Sequence, residues 1–234
     1  MEQEQTHLPS EFRWLLQPQP APVSPGLDQR VRNHVNPLSA LYSTPASPPH
    51  WERMYAHLDQ PFHLDIGTGT GRFLLAMAHA YPNWNFLGVE IRRPLVERAN
   101  RWCQDLQLDN ITFLFANINV TLPNLFAPGD LARVSIQFPD PWFKKRHQKR
   151  RVVQPQLVTE LARLLQDQGQ VFLQSDIQEV AVEMAERFHQ HPSFHPAPPG
   201  LLPENPLPIP TLREVQCLRQ GLPVYRYAFV CKLD

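Results

Sequence analysis

The sequence predicts an α/β fold, a mostly parallel β-sheet with helices on both faces and an antiparallel C-terminal strand. Three observations lead there. From residue 61 onward, short apolar runs of strand length alternate with helical patterns, the mark of parallel strands joined by covering helices. The first run ends in the glycine-rich turn Gly67-Thr68-Gly69-Thr70-Gly71, and a helix follows at once. Proline is crowded into the two ends: of 26, nine lie in residues 1–50 and nine in residues 192–223, so regular structure belongs to the middle.

Taken in order, residues 1–46 form a proline-rich extension in which Gln17–Pro22 reads as an extended linker. Residues 47–234 form the main domain, with a proline-rich insert at about 192–223. Ser47, Pro48 and Pro49 suit the start of a helix over 47–58, with Trp51, Met54, Tyr55 and Leu58 at helical spacing. The strand runs are Pro61–Ile66, Asn85–Glu90, Ile111–Ala116, Arg133–Phe138 and Gln170–Ser175. Helical patterns follow through Phe73, Ala76, Met77 and Ala80, then Leu95, Ala99, Trp102 and Leu106. Two more run through Leu157, Leu161, Leu164 and Leu165, and through Ile177, Val180, Met184 and Phe188. Val224–Lys232, after the proline-rich insert, reads as a strand added antiparallel at the sheet edge; Ser193–His195 is a weak strand signal.

Composition removes several function classes. Lys+Arg and Asp+Glu are both 22, so the net charge is zero and a nucleic-acid partner needs a local basic patch. No apolar run reaches the roughly 18 residues of a membrane span. The acidic, polar start Met1–Gln5 is unlike a targeting peptide. Cys103, Cys217 and Cys231 form no CxxC pair. They read as reduced thiols of a cytoplasmic protein, neither a disulfide framework nor a zinc site. His189 and His191, two apart on a helix end, do not share a face, so no metal is assigned.

The glycine turn places Gly67 and Gly69 at the carboxyl edge of the first strand, where open α/β sheets bind ligands. A dinucleotide fingerprint needs a third glycine at the position of Arg72, which argues against nicotinamide. Asp65 before the first glycine suits S-adenosylmethionine, which has no phosphates but carries a cationic amine and sulfonium. Glu90, at the end of the second strand, can accept from two ribose hydroxyls. Asn117, after the third, can face adenine. Each also has a plain role open to it: Asp65 in the turn, Glu90 paired with Arg92 or Arg93, Asn117 in a loop.

The fourth strand ends in Phe138-Pro139-Asp140-Pro141-Trp142-Phe143, two prolines fixing the backbone around Asp140. Lys144, Lys145, Arg146, His147, Gln148, Lys149, Arg150 and Arg151 follow. Six of the 22 basic residues fall in these eight positions, a local charge of +5 from Asp140 to Arg151. Beside a ligand edge, that run points to phosphate contact. Asp176, with Glu179 three residues on, also fits a capping box opening the next helix. Glu214 has Arg213 and Arg219 as surface pairing options.

The segment Phe138–Arg151 resembles the signature of the tRNA (guanine-N7-)-methyltransferases. The glycine loop, Glu90, Asp176 and the Thr-x-x-Glu at Thr211–Glu214 support the resemblance, which covers roughly residues 60–232. Arg30–Leu38 also resembles an N-terminal arm of part of that family. The resemblance implies a Rossmann-like class I methyltransferase fold. It implies methyl transfer from S-adenosylmethionine to N7 of guanine 46 in the tRNA variable loop. It places Asp65, Glu90, Asn117 and Asp140 at the cofactor, with Asp140 also as the catalytic residue. It places Lys144, Asp176, Thr211 and Glu214 at the substrate and Arg146–Arg151 toward RNA. The family often has Glu where this chain has Asp65 and Asp where it has Asn117. The partner implied is tRNA, with no membrane and no metal, and a monomer favoured. Two other readings stand beside this one: an adenine-N6 nucleic-acid methyltransferase, suggested by Asp-Pro-Trp, and a non-catalytic RNA-binding protein.

Overall fold

The computed structural model describes residues 35–233. The linker at 17–22 and all but the last residues of the Arg30–Leu38 segment lie outside the described residues.

Seven strands form one sheet in the order β3-β2-β1-β4-β5-β7-β6. They are β1 (Phe62–Ile66), β2 (Asn85–Glu90), β3 (Ile111–Phe115), β4 (Leu131–Gln137), β5 (Leu165–Ser175), β6 (Phe194–Pro196) and β7 (Tyr225–Cys231). The first five are parallel; β7 is antiparallel as expected but is not the edge strand, because β6 pairs along its outer side and β7 lies between β5 and β6. Every residue of β1 and β2 is buried, as in parallel strands covered on both faces. Successive side chains part to opposite faces. Val171 and Leu173 enter a core with Leu157, Leu161, Val180 and Phe188, whereas Phe172 joins Leu74, Val96, Ala99 and Trp102 on the other side. The helices α2 (Arg72–Ala80) and α3 (Arg93–Asp105) thus cover one face, and α5 (Pro155–Leu164) and α6 (Gln178–His189) the other. From β1 the chain goes to β2 and β3 on one side, then returns to β4 on the other. The carboxyl ends of β1 and β4 therefore frame a topological switch point, where such sheets open a crevice.

The helix expected over 47–58 shrinks to the single turn α1 (Trp51–Met54), whose cap position falls on His50 rather than Ser47, without a side-chain bond. Tyr55 turns extended because its ring packs edge-on to Phe62 at 5.1 Å and its hydroxyl donates to the Phe86 carbonyl at 2.9 Å, while Trp51 stacks on Phe126 at 5.3 Å. Packing of large rings outweighs local propensity here. β5 starts five residues earlier than its apolar run, across a register shift between Leu131↔Leu165 and Arg133↔Gln170. A further helix, α7 (Leu212–Arg219), closes the proline-rich insert, its N-terminus capped by Thr211 Oγ1 accepting from Glu214 N at 3.1 Å. Cys103, Cys217 and Cys231 are free and buried.

Candidate active site

β1 ends in a tight glycine loop. Gly67 has φ +77°, and a Cβ there would meet nothing within 4 Å, so its outer face opens to space a ligand can fill. At Gly71 (φ +80°) the reverse holds: a Cβ would stand 2.8 Å from the Phe113 ring and 2.9 Å from Ala99. Close approach of α2 to the sheet is thus supplied one position before Arg72.

The Glu90 carboxylate lies beside this loop. It accepts from Gly69 N at 2.9 Å, and from Arg92 N, Nε and Nη2 at 3.0, 2.9 and 3.0 Å. The ligand-facing reading and the Arg92 pairing therefore describe the same carboxylate. The short helix α4 (Ile118–Thr121) is capped by Asn117, whose oxygen accepts from Asn119 N at 3.2 Å. The Asn117 amide also donates to the carbonyls of Pro37 and Tyr42 at 3.0 and 3.2 Å, tying the segment after residue 34 to the cleft.

Asp65 departs from expectation. It is not among the residues lining the cleft. Ser135 Oγ donates to it at 2.6 Å and Gln137 at 3.4 Å, so its carboxylate is turned into the sheet toward β4. Burial raises its pKa, opposed by hydrogen bonds from Ser135, Thr68 and Gln137. Ser135 also meets Nε2 of buried His63 at 2.9 Å.

After β4, Phe138 N donates to the Gln174 carbonyl at 2.8 Å. Phe138 (φ +49°) and Trp142 (φ +42°) are both left-handed. Strain of this kind is on the order of 1–3 kcal/mol per residue and survives only where the surroundings hold it. Between them sits Asp140. Lys145–Arg150 wind into a 3-10 turn against Trp142, with the Arg150 guanidinium 4.9 Å over the indole and the His147 ring edge-on at 5.8 Å. Desolvation and the charges of Arg150, Arg146 and Lys144 lower the His147 pKa. Lys144, Lys145, Arg146 and Lys149 are exposed, and His147, Gln148 and Arg150 are half-buried.

Arg151 departs from the rest of the run. Its side chain is 5% exposed and turned inward, where it donates to the Pro141 carbonyl at 2.8 Å, to Glu179 at 2.8 Å and to Glu183. It is not an RNA-facing side chain, because it is buried and each of its three nitrogens donates to a protein acceptor.

Asp176 does not cap α6; the cap position falls on Ile177, without a side-chain bond, and Asp176 pairs with Arg213. Thr211 caps α7. Glu214 is 1% exposed. It pairs with Arg226 at 2.7 Å and accepts from Asn205 at 2.7 Å and Gln174 at 3.2 Å. Neither surface pairing nor substrate contact describes it, since both oxygens are consumed inside the fold. Gln174 also donates to Gln137 at 2.7 Å, so a buried chain of hydrogen bonds runs from Glu214 to Asp65. Gln137, Gln174 and Arg226 carry no motif, and only the partners show their role.

A cleft of about 740 Å³, counting its open mouth, brings together Gly67, Glu90, Asn117, Asp140, Trp142 and Arg150. The glycine loop stands at the end of β1 with Glu90 at the end of its neighbour β2, and Asp140 and the basic turn stand at the end of β4, the neighbour of β1 across the switch point. Among the described residues no group of three or more His, Cys, Asp or Glu is arranged to hold a metal ion, and no helix is long and apolar enough to cross a membrane.

This sheet order and cleft define a class I methyltransferase. Precorrin-6y C5,15-methyltransferase from Geobacter metallireducens GS-15 has a similar fold at 14% identity (TM-score 0.50, covering 81% of this chain and 95% of that one). The family profile described as "Putative methyltransferase" matches residues 59–227. The tRNA (guanine-N(7)-)-methyltransferase of Synechococcus sp. (strain JA-3-3Ab) is 66% identical over 206 residues, 88% of this chain and 87% of that one. The protein of the same name from Synechococcus elongatus (strain ATCC 33912 / PCC 7942 / FACHB-805) is 54% identical over 204 residues, 86% of this chain and 96% of that one. The chain belongs to the tRNA (guanine-N7-)-methyltransferase family.

Proposed function

We propose that this chain transfers the methyl group of S-adenosylmethionine to N7 of guanine 46 in tRNA. The observation that carries the reading is the single cleft in which the glycine loop and Glu90 face Asp140, with the basic turn at the rim. The open face of Gly67 and the acid beside it fit a cofactor that is cationic and carries no phosphate. When bound, that cofactor supplies an electrophilic sulfonium methyl.

Glu90 accepts from the ribose hydroxyls once Arg92 yields part of its hold. Asn117 and the backbone at Gly67 border the adenosyl side. Asp65 acts from beneath, through the strand end it fixes. Guanine N7 has an in-plane lone pair and no proton, so the chain need supply no base. Its task is alignment, which is worth roughly 7–11 kcal/mol in well-oriented reactions. Asp140 accepts from the guanine N1–H and N2–H₂ edge and favours the positive charge that grows on the base during transfer. The exposed Lys144, Lys145, Arg146 and Lys149, with half-buried Arg150, take tRNA phosphates. Asp176 and Thr211 border the substrate side.

The test is to incubate tRNA with the chain and cofactor, then locate the product by chemical cleavage at 7-methylguanosine. Cleavage at position 46 is expected. Methylation at adenine N6, or RNA binding without transfer, overturns the reading. Asp140→Ala is expected to lower kcat far more than tRNA affinity; equal losses would remove Asp140 from the transition state.

A further inference from the structure

We propose that Arg151 is a positioning residue for methyl transfer: its guanidinium closes the neck of the basic loop and holds Asp140 and Trp142 in place. This rests on the role given to Asp140 above. The Arg151 Nε donates at 2.8 Å to the Pro141 carbonyl, the acceptor between Asp140 and Trp142. Its two terminal nitrogens reach Glu179 and Glu183, four residues apart on α6. Those two carboxylates on one helix face repel each other unless a cation lies between them.

A second arginine extends the clamp. Arg187, one turn beyond Glu183, pairs with it and donates to the Val153 carbonyl at 2.5 Å and to Gln154 Oε1 at 2.8 Å. Gln154 in turn donates to the Arg151 carbonyl at 2.8 Å. One face of α6 therefore grips both the outgoing strand of the loop, at Pro141, and its return, at residues 151–154. Residues 142–150 form the loop between these two gripped ends, and Gln148 within it also donates to Glu179 at 3.3 Å.

The neck matters because the loop is strained. Phe138 and Trp142 hold left-handed backbone with large side chains, on either side of Asp140. Such geometry relaxes unless the surroundings over-determine it. Phe138 is held by the Gln174 carbonyl, and the Arg151 bond to Pro141 is the matching restraint on the far side. A planar guanidinium with five donors reaches three acceptors in three directions; a lysine ammonium on a flexible stem does not.

Three variants of the full chain test this, each checked for a cooperative melt. Arg151→Gln is expected to lower kcat roughly 10- to 100-fold, the effect of displacing a reacting group by about 1 Å. The tRNA KM stays within about twofold, and the salt slope of tRNA binding is unchanged. Arg151→Lys keeps the charge and is expected not to restore kcat. Glu183→Gln leaves the basic run intact and is expected to lower kcat severalfold. A slope shallower by about 0.7–0.9 in Arg151→Gln marks a phosphate contact; that result, rescue by lysine, or normal turnover in Glu183→Gln overturns the proposal. Should Arg151→Gln fail to fold, the other two variants decide. Asp140→Ala assayed alongside separates the levels: normal turnover there removes the reading of the loop itself, whereas lost turnover there with normal Arg151 variants removes only the positioning role.

Discussion

Arg226→Met is expected to destabilise the fold by about 3 kcal/mol. Arg226 and Glu214 pair at 2.7 Å with side chains 7% and 2% exposed, so neither charge has water to fall back on. Removing one partner of such a pair costs about 3–5 kcal/mol, because the other is left charged and buried. Glu214 keeps donors from Asn205 and Gln174, which places the cost at the lower end. For a domain of this size that is a fall in Tm of about 6–12 °C. The assay is urea unfolding of wild type, Arg226→Met and the double variant Arg226→Met/Glu214→Gln. The double variant is expected to recover at least half of the loss, since a neutral amide is far cheaper to bury than a carboxylate. A loss under about 1 kcal/mol, or a double variant no better than the single, would refute the claim that Glu214 works as a buried anion held by Arg226. It would also return Glu214 to consideration as a substrate contact.

Stability should also respond to acid through His63, whose pKa burial, reinforced by the charge of Arg133, lowers to about 3. Below the ordinary value of 6.5 the unfolded chain takes up a proton that the folded one refuses, so this contribution is complete above pH 6.5 and lost as pH falls toward 3. Between pH 7 and pH 5 the expected loss is on the order of 2 kcal/mol, diminished in His63→Gln; parallel pH profiles for the two proteins would contradict it. Gly88→Ala would put a Cβ 2.4 Å from the Phe113 ring, and should cost roughly 1–3 kcal/mol by denaturant titration. Recovery in Gly88→Ala/Phe113→Leu is expected, and its absence would place the clash elsewhere. Lys149→Ala should reduce the salt slope of tRNA binding by about 0.7–0.9, and an unchanged slope would show that this exposed cation meets no phosphate.

The sheet was legible because its centre is buried on both faces. Phe62–Ile66 and Asn85–Glu90 match their expected runs to within a residue, for a central parallel strand covered by helices buries every position along its length. The cleft was legible for a related reason: Gly67, Glu90, Asn117 and Asp140 follow strand ends, and strand ends of a doubly wound sheet converge. What stayed hidden depends on distant partners. Arg151 looked like one more cation in a run, and only Glu179 and Glu183 on α6, about 30 residues on, draw it inward. Asp65 looked like a ligand acid, but its partner Ser135 is 70 residues away on the neighbouring strand. Glu214 looked exposed because glutamate usually is, and Arg226 reverses that by cross-strand placement opposite Gln174. The left-handed Phe138 and Trp142 had no signal in residue type, since neither is glycine or asparagine.

The three buried thiols give this enzyme a built-in clock. Burial pushes Cys103 up to about 12, and raises Cys217 and Cys231 as well, so in the closed protein almost no thiolate is offered to an alkylating reagent. Their positions sample different neighbourhoods: Cys103 on α3, Cys217 on α7 beneath the insert, Cys231 on β7. Labelling of each therefore times the opening of its own neighbourhood. The order in which the three acquire label ranks the C-terminal end of α3, the proline-rich insert and the antiparallel strands by how often each comes apart.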